Sequence, residues 1–205
     1  EQVVFFSLLL ILFGSNVYYY HLFDKAMSHV FSFSLFSLLL FTTDSWYRHR
    51  KGYFFLLLCA VLGLIAITRP TNLSVAIIPL LWHISSYSDV KERLSFLKGR
   101  IPLLLAGLSC FVLIVMIQLG YWKYTTDHWF LYSYSGETFS FLKPHIADGL
   151  LSFRKGWFIY TPLSLFCLAG FVLLYRQYRN IFWSIFLFTL LNIYIVFSWD
   201  NWWYG

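Results

Sequence analysis

The feature that most constrains this chain is its alternation of long apolar runs with short polar segments. A membrane span takes roughly 20 mostly apolar residues, with a range of about 17–25. Seven stretches approach that length: 3–16, 26–43, 53–68, 71–86, 101–122, 157–175 and 181–199. In hydrocarbon every backbone N–H and C=O must be satisfied inside the protein, so runs of this length read as helices. The expectation is an all-α, multi-pass transmembrane helical bundle of about seven spans, with residues 1–205 forming one membrane domain. Composition agrees: 60% of residues are hydrophobic and 12% charged, against roughly 25% charged in soluble domains. The 23% aromatic content suits lipid-facing helices and interfacial belts.

Charge placement sets the expected topology. The loops 44–52, 85–100 and 176–180 are short and basic, and they hold nine Lys/Arg against three Asp/Glu. The alternating segments 15–25, 69–72, 123–156 and the tail from residue 200 hold six and five. The positive-inside rule places the first set in the cytoplasm and the second outside. Residues 85–99 are expected to form a short surface helix, with Asp89, Lys91, Glu92 and Arg93 toward water and Leu94, Phe96 and Leu97 toward lipid. The net charge of +6 is spread over these short loops, which argues against a nucleic-acid partner. Cys59, Cys110 and Cys167 lie inside apolar runs and read as packing residues, not as a disulfide framework or metal set. Neither end of the chain reads as a natural terminus.

The polar residues cluster on the outer side. The segment 15–29 combines Tyr18, Tyr19 and Tyr20 with His21, Asp24 and His29. The tyrosines alone read as an aromatic belt, but His29 falls in the first turns of the second span. A titratable group there is a functional candidate. Pro70 breaks the helix hydrogen-bond ladder after Arg69. Arg69 either snorkels to headgroups or clamps a phosphate, which a guanidinium matches in a bidentate way. The match of Asn72-Leu73-Ser74 to a glycosylation sequon reads as chance at a helix start. The outer loop 123–156 exceeds the usual length of a connector and is too aromatic for disorder. It is expected to fold back as short helices and turns carrying Tyr132, Glu137, Arg154 and Lys155, with Tyr160 just beyond. The tail sets Asp200 among Trp199, Trp202 and Trp203, a grouping like a sugar-binding surface. Convergence of these groups on one face points to a ligand cavity.

Nucleotide-binding glycine patterns, HExxH and CxxC are absent from the sequence, and the middles of the spans read as almost purely apolar, unlike a transporter's. In order along the chain come Tyr18-Tyr19-Tyr20, Asp24 to Met27-Ser28-His29, Arg69-Pro70-Thr71-Asn72, Arg154-Lys155-Gly156-Trp157 through Tyr160-Thr161-Pro162, and Trp199-Asp200-Asn201-Trp202-Trp203-Tyr204-Gly205. Together these strings resemble bacterial membrane glycosyltransferases of the GT-C type, the cell-envelope group that includes protein O-mannosyltransferases and lipid A aminoarabinose transferases. The Arg-Lys-Gly-Trp and Tyr-Thr-Pro strings are the most specific part.

The resemblance implies a location in the bacterial inner membrane with the active face periplasmic. It implies transfer of a sugar from a polyprenyl-phosphate donor to a glycan, lipid or protein acceptor, usually with inversion, a carboxylate acting as general base. Asp24 and His29 are then the candidate catalytic residues, with the main catalytic acid expected in a preceding outer loop. Arg69, Asn72, Tyr132, Glu137, Arg154, Lys155, Tyr160, Asp200, Trp202 and Trp203 are candidates for binding substrate. No cofactor is implied with certainty; a divalent cation beside the phosphate is compatible, and no metal ligands are assigned. The alternative readings are a lipid-linked glycan transporter or flippase, or a non-enzymatic multi-pass membrane protein.

Overall fold

The computed structural model describes residues 2–24, 27–131 and 136–203. Among them the chain is all-α, with helices α1 (Gln2–Gly14), α2 (Val17–Leu22), α3 (Ser28–His49), α4 (Gly52–Thr68), α5 (Ile77–Leu81), α6 (Tyr87–Lys98), α7 (Ile101–Thr126), α8 (Ile146–Leu151), α9 (Trp157–Tyr160), α10 (Phe166–Gln177) and α11 (Arg179–Phe197). Two 3₁₀ segments, Pro70–Ala76 and Pro162–Leu165, precede α5 and α10. One isolated antiparallel bridge joins Phe139 to Trp199.

Two of these helices, α7 and α11, are long and apolar enough to cross a membrane. The helix lengths do not support seven full spans. Proline accounts for two of the shortfalls. Pro70 forces the residue before it out of the helical region, and Arg69 is extended (φ −160°). The expected fourth span is therefore a 3₁₀ stretch followed by five residues of α-helix. Pro162 likewise divides the expected sixth span into α9, a 3₁₀ turn and α10. Helix α3 has 22 residues, but its last turns carry Asp44, Arg48 and His49 and are polar.

The core is built where α3, α4 and the 70–81 stretch meet. Leu39, Leu58, Val61, Ile65, Val75, Ile78 and Trp82 pack into one buried cluster. Helix α7 approaches α4 through glycine: a Cβ at Gly107 would stand 2.5 Å from the Phe55 ring and 2.8 Å from the Cys59 sulfur. Small residues let helices approach closely where water does not drive packing. Gly107 is the one fully buried residue of α7; one face packs on α4 through Leu103 and Ile114, and the other leaves Leu105, Leu108, Leu113, Ile117 and Tyr121 exposed. Exposed apolar faces of that size mark a membrane or a partner surface.

The segment from Thr138 to Gly149 folds back onto the end of α11. Ser140 N–H donates to Ser198 O (2.6 Å), His145 N–H to Phe197 O (2.7 Å) and Asp200 N–H to Thr138 O (3.0 Å). Tyr194 Oη donates to Phe141 O (2.8 Å). Gly149 lets α8 touch α11, because any Cβ there would overlap the Phe197 ring.

The surface helix α6 forms with a capping box between Ser86 and Asp89. Two of its residues correct the expected facing. Arg93 turns inward, donating to Leu80 O (2.5 Å) and to Trp82 O, which caps carbonyls left open at the end of α5. Phe96 faces protein as well as solvent, lying 4.6 Å from the Arg50 guanidinium and 4.4 Å from that of Arg100.

Candidate functional site

A cavity of about 600 Å³ opens where α2, α3, the Pro70–Ala76 segment, α8, α9, α11 and the 198–203 tail converge. That volume lies within the range of small-molecule sites, roughly 300–1,000 Å³. Helical spacing explains which side chains reach it. On α3, His29, Ser32 and Phe36 recur at intervals of three and four and share a face. On α11, Thr189, Asn192, Ile193, Val196 and Phe197 repeat in the same way. Arg69 and Asn72 enter from the break after α4, and Lys155, Trp157 and Tyr160 from the chain around α9. Trp199, Trp202 and Trp203 close the side nearest the tail.

Several residues singled out in the sequence therefore meet in one place: His29, Arg69, Asn72, Lys155, Tyr160, Trp202 and Trp203. The His29 ring stacks on Tyr20, with centroids 4.6 Å apart. Asn72 Nδ2 donates to Ser32 Oγ (2.9 Å), tying the chain after the proline break to α3. Tyr160 Oη donates to Phe153 O (2.6 Å), which fixes its ring at the cavity edge. Trp202 and Trp203 meet edge to face with centroids 5.7 Å apart. The Arg69 guanidinium has no carboxylate or carbonyl partner among the described residues, and its charge acts on both Tyr20 and His29.

Other expected site residues are placed differently. Asp24 does not line the cavity; it acts on Tyr20 and His29 through its charge. Burial, with help from Asp24, holds the Tyr20 phenol above the ordinary tyrosine range, and Arg69 opposes this. Arg154 stacks its guanidinium 3.9 Å from the centre of the Trp203 ring instead of lining the cavity itself. Asp200 is turned to structure: its carboxylate accepts the hydroxyls of Ser140 (2.5 Å) and Thr138. Those two donors hold it below the usual carboxylate range. Glu137 is half-buried at the start of the folded-back segment and is not among the lining residues. Tyr132 lies outside the described residues.

Sequence reasoning missed Asn16, Ser32, Thr189 and Asn192, which also line the cavity. Thr189 and Asn192 correct the view of the spans as apolar through their middles. The available signal was the three-residue spacing of two hydrogen-bonding side chains within an otherwise apolar helix.

The arrangement suits an anionic group held at Arg69 and Lys155 beside a polar, aromatic-walled chamber. Among the described residues the lining carries no carboxylate, and no group of three or more His, Cys, Asp or Glu is placed to hold a metal. Comparison with protein-family models, with curated proteins and with solved structures gives no match to this chain.

Proposed function

We propose that this chain is the transfer domain of a membrane glycosyltransferase, which moves a sugar from a polyprenyl-phosphate donor to a glycan, lipid or protein acceptor. The observation that carries the reading is the cavity that gathers Arg69, Lys155, His29 and Asn72 with Trp202 and Trp203. Guanidinium and ammonium groups match the donor's phosphate, and indole faces match a sugar ring. In the reaction, an acceptor hydroxyl oxygen bonds to the anomeric carbon as the bond from that carbon to the phosphate oxygen breaks. The electron pair leaves with the lipid phosphate, and Arg69 and Lys155 stabilise its growing charge. The hydroxyl proton passes to a base. His29 is the titratable group of this chain on the cavity wall suited to receive it, with Asp24 acting on the imidazole at longer range.

In this proposal the shorter apolar helices complete further crossings beside α7 and α11, giving about seven spans in the bacterial inner membrane. The cavity then opens on the periplasmic face, and the basic loops lie inside. Two features favour a transferase over a flippase. The cavity occupies one end of α3, and the buried polar residues among those described are hydroxyls alone: Thr42, Thr43, Ser45, Ser164, Ser184 and Ser198. A carrier of charged headgroups needs ionisable groups along a path through the membrane.

The test is reconstitution of the full-length protein in proteoliposomes with radiolabelled polyprenyl-phosphate sugars and an envelope-extract acceptor. Donor-dependent transfer of label that is lost in Lys155→Ala supports the proposal. Movement of intact donor across the bilayer without transfer sinks it in favour of the flippase.

A further inference from the structure

The surface helix α6 stands apart from the cavity, and none of its residues lines it. Its side chains sort by face. Tyr87, Val90, Leu94 and Leu97 follow one another at spacings of three and four residues and share one side of the helix. Tyr87 is 74% exposed and Leu94 54%, while Val90 and Leu97 are partly exposed. The opposite side belongs to the protein: Arg93 caps the carbonyls of Leu80 and Trp82, and Phe96 packs against the Arg50 and Arg100 guanidinium groups.

The charges are divided as well. Both carboxylates of α6 turn toward the protein. Asp89 accepts the backbone N–H groups of Ser85 and Ser86 (both 2.8 Å), and Asp89 and Glu92 line a small cleft with Arg50, His83, Arg93 and Phe96. Lys91 and Lys98 do not line that cleft. They stand one turn after Tyr87 and Leu94, along the border of the apolar stripe. The Lys91 ammonium lies 5.0 Å from the Tyr87 ring centre. The Lys98 side chain has neither an ion pair nor a hydrogen bond among the described residues. The exposed side of α6 therefore joins an apolar stripe to two cations that no carboxylate pairs with.

The place of α6 in the chain says what covers this side. Gly99 and Arg100 separate it from α7, which is long and apolar enough to cross a membrane. Only 6% of the apolar window of α7 is buried, which a helix enclosed in a water-soluble core would not show. The apolar exposure continues past Leu97 to Ile101, itself 55% exposed. A helix joined by a two-residue turn to the end of a span is held at the membrane surface. There an apolar stripe reaches the acyl boundary, and lysines beside it extend to the headgroups. Two unpaired ammonium groups favour lipids of net negative charge.

We infer that α6 is an anchor for anionic phospholipid. The Tyr87, Val90, Leu94 and Leu97 stripe lies at the acyl boundary, and Lys91 and Lys98 bind the headgroup phosphates. This surface lies outside the proposed transfer site and does not rest on that reading.

The experiment places a bimane fluorophore on the exposed side between the two lysines, through Ser95→Cys in the full-length protein with its native cysteines replaced by alanine. Bilayers of phosphatidylcholine carry equal amounts of a quencher, as doxyl-phosphatidylcholine or as doxyl-phosphatidylglycerol, with the nitroxide near the top of the acyl chain. Both lipids are expected to quench, with phosphatidylglycerol favoured at least roughly fivefold, the scale of one lysine at an anionic surface. Lys91→Gln combined with Lys98→Gln should remove that preference, as should salt at about 1 M, where charges are screened within about 3 Å. The preference is a ratio read on one protein sample, so partial unfolding does not imitate it. If the cysteine-free chain does not fold, a fluorescent amino acid incorporated at position 95 gives the same reading. Equal quenching by the two lipids, or a preference that survives loss of both lysines, overturns the inference. Absence of quenching by either lipid overturns it too, and shows a face turned to water or covered by another protein.

Discussion

Both ends of the α3–α4 pair collect arginines beside aromatic rings, yet they use them in different ways. At the end where α3 gives way to α4, Arg93 caps the open carbonyls of Leu80 and Trp82. Arg50 lies over Tyr47 and Phe96, and Arg100 lies over Phe96 while donating to Arg50 O (3.3 Å). These cations are spent on backbone and rings. At the other end, Arg69 has no such partner among the described residues and faces a cavity large enough for a ligand. From Ser32 to Tyr47 the helix rises about 22 Å, and the buried cluster around Leu39, Val61 and Ile65 lies between. The difference teaches that residue type does not separate arginines already partnered within the fold from one left facing a cavity. What separates them is whether the fold has already supplied a partner.

The comparison breaks most visibly through stability. Arg93→Ala leaves two carbonyls without their charged donor, and a hydrogen bond to a charged group contributes about 1.5–3 kcal/mol. The variant is expected to lose stability on that scale in a detergent-solubilised denaturant titration, with transfer activity per folded molecule kept. Gly149→Ala forces a methyl group against the Phe197 ring, and overpacking of this kind costs about 1–3 kcal/mol. Here stability and transfer should fall together, because α8 and α11 both border the cavity; thermal melts paired with activity measure this. Asn72→Ala removes the tie to Ser32, worth about 1 kcal/mol, and should weaken donor binding with only a small drop in melting temperature.

The smallest effect belongs to pH. Hydroxyl donation from Ser140 and Thr138 depresses the Asp200 carboxylate in the folded chain. A depressed acid contributes stability above its unfolded value, and that contribution is lost as pH falls through its folded value. Anchoring of the 136–152 segment on α11 should therefore weaken only on the acidic side, below the usual carboxylate range. Asp200→Asn should flatten that acid limb in limited proteolysis, and a protein whose loop is cut equally at every pH would contradict the assignment.

Much of the cavity was legible because its residues sit at interruptions of the apolar pattern. Arg69 and Asn72 flank Pro70, Lys155 precedes a glycine, and Trp202 and Trp203 follow the end of α11; sequence alone marks such breaks. Asn192 and Ser32 were not legible in the same way. A single polar side chain barely alters the character of an apolar run, and its direction is fixed only once α3 and α11 pack. Arg93 failed for a related reason. It reads as a solvated charge on a surface helix until the broken helix at Pro70–Leu81 leaves carbonyls for it to cap. The two prolines likewise explain why apolar runs of span-like length became shorter helices.

The most direct measurement is transfer turnover per folded molecule, with Arg69→Ala set beside Arg93→Ala in the full-length protein at matched folded concentration. The account predicts a fall of roughly 10²–10³-fold for Arg69→Ala, the scale of losing one group that stabilises developing charge, and little change for Arg93→Ala. Equal losses in both variants, or full activity in Arg69→Ala, would contradict it.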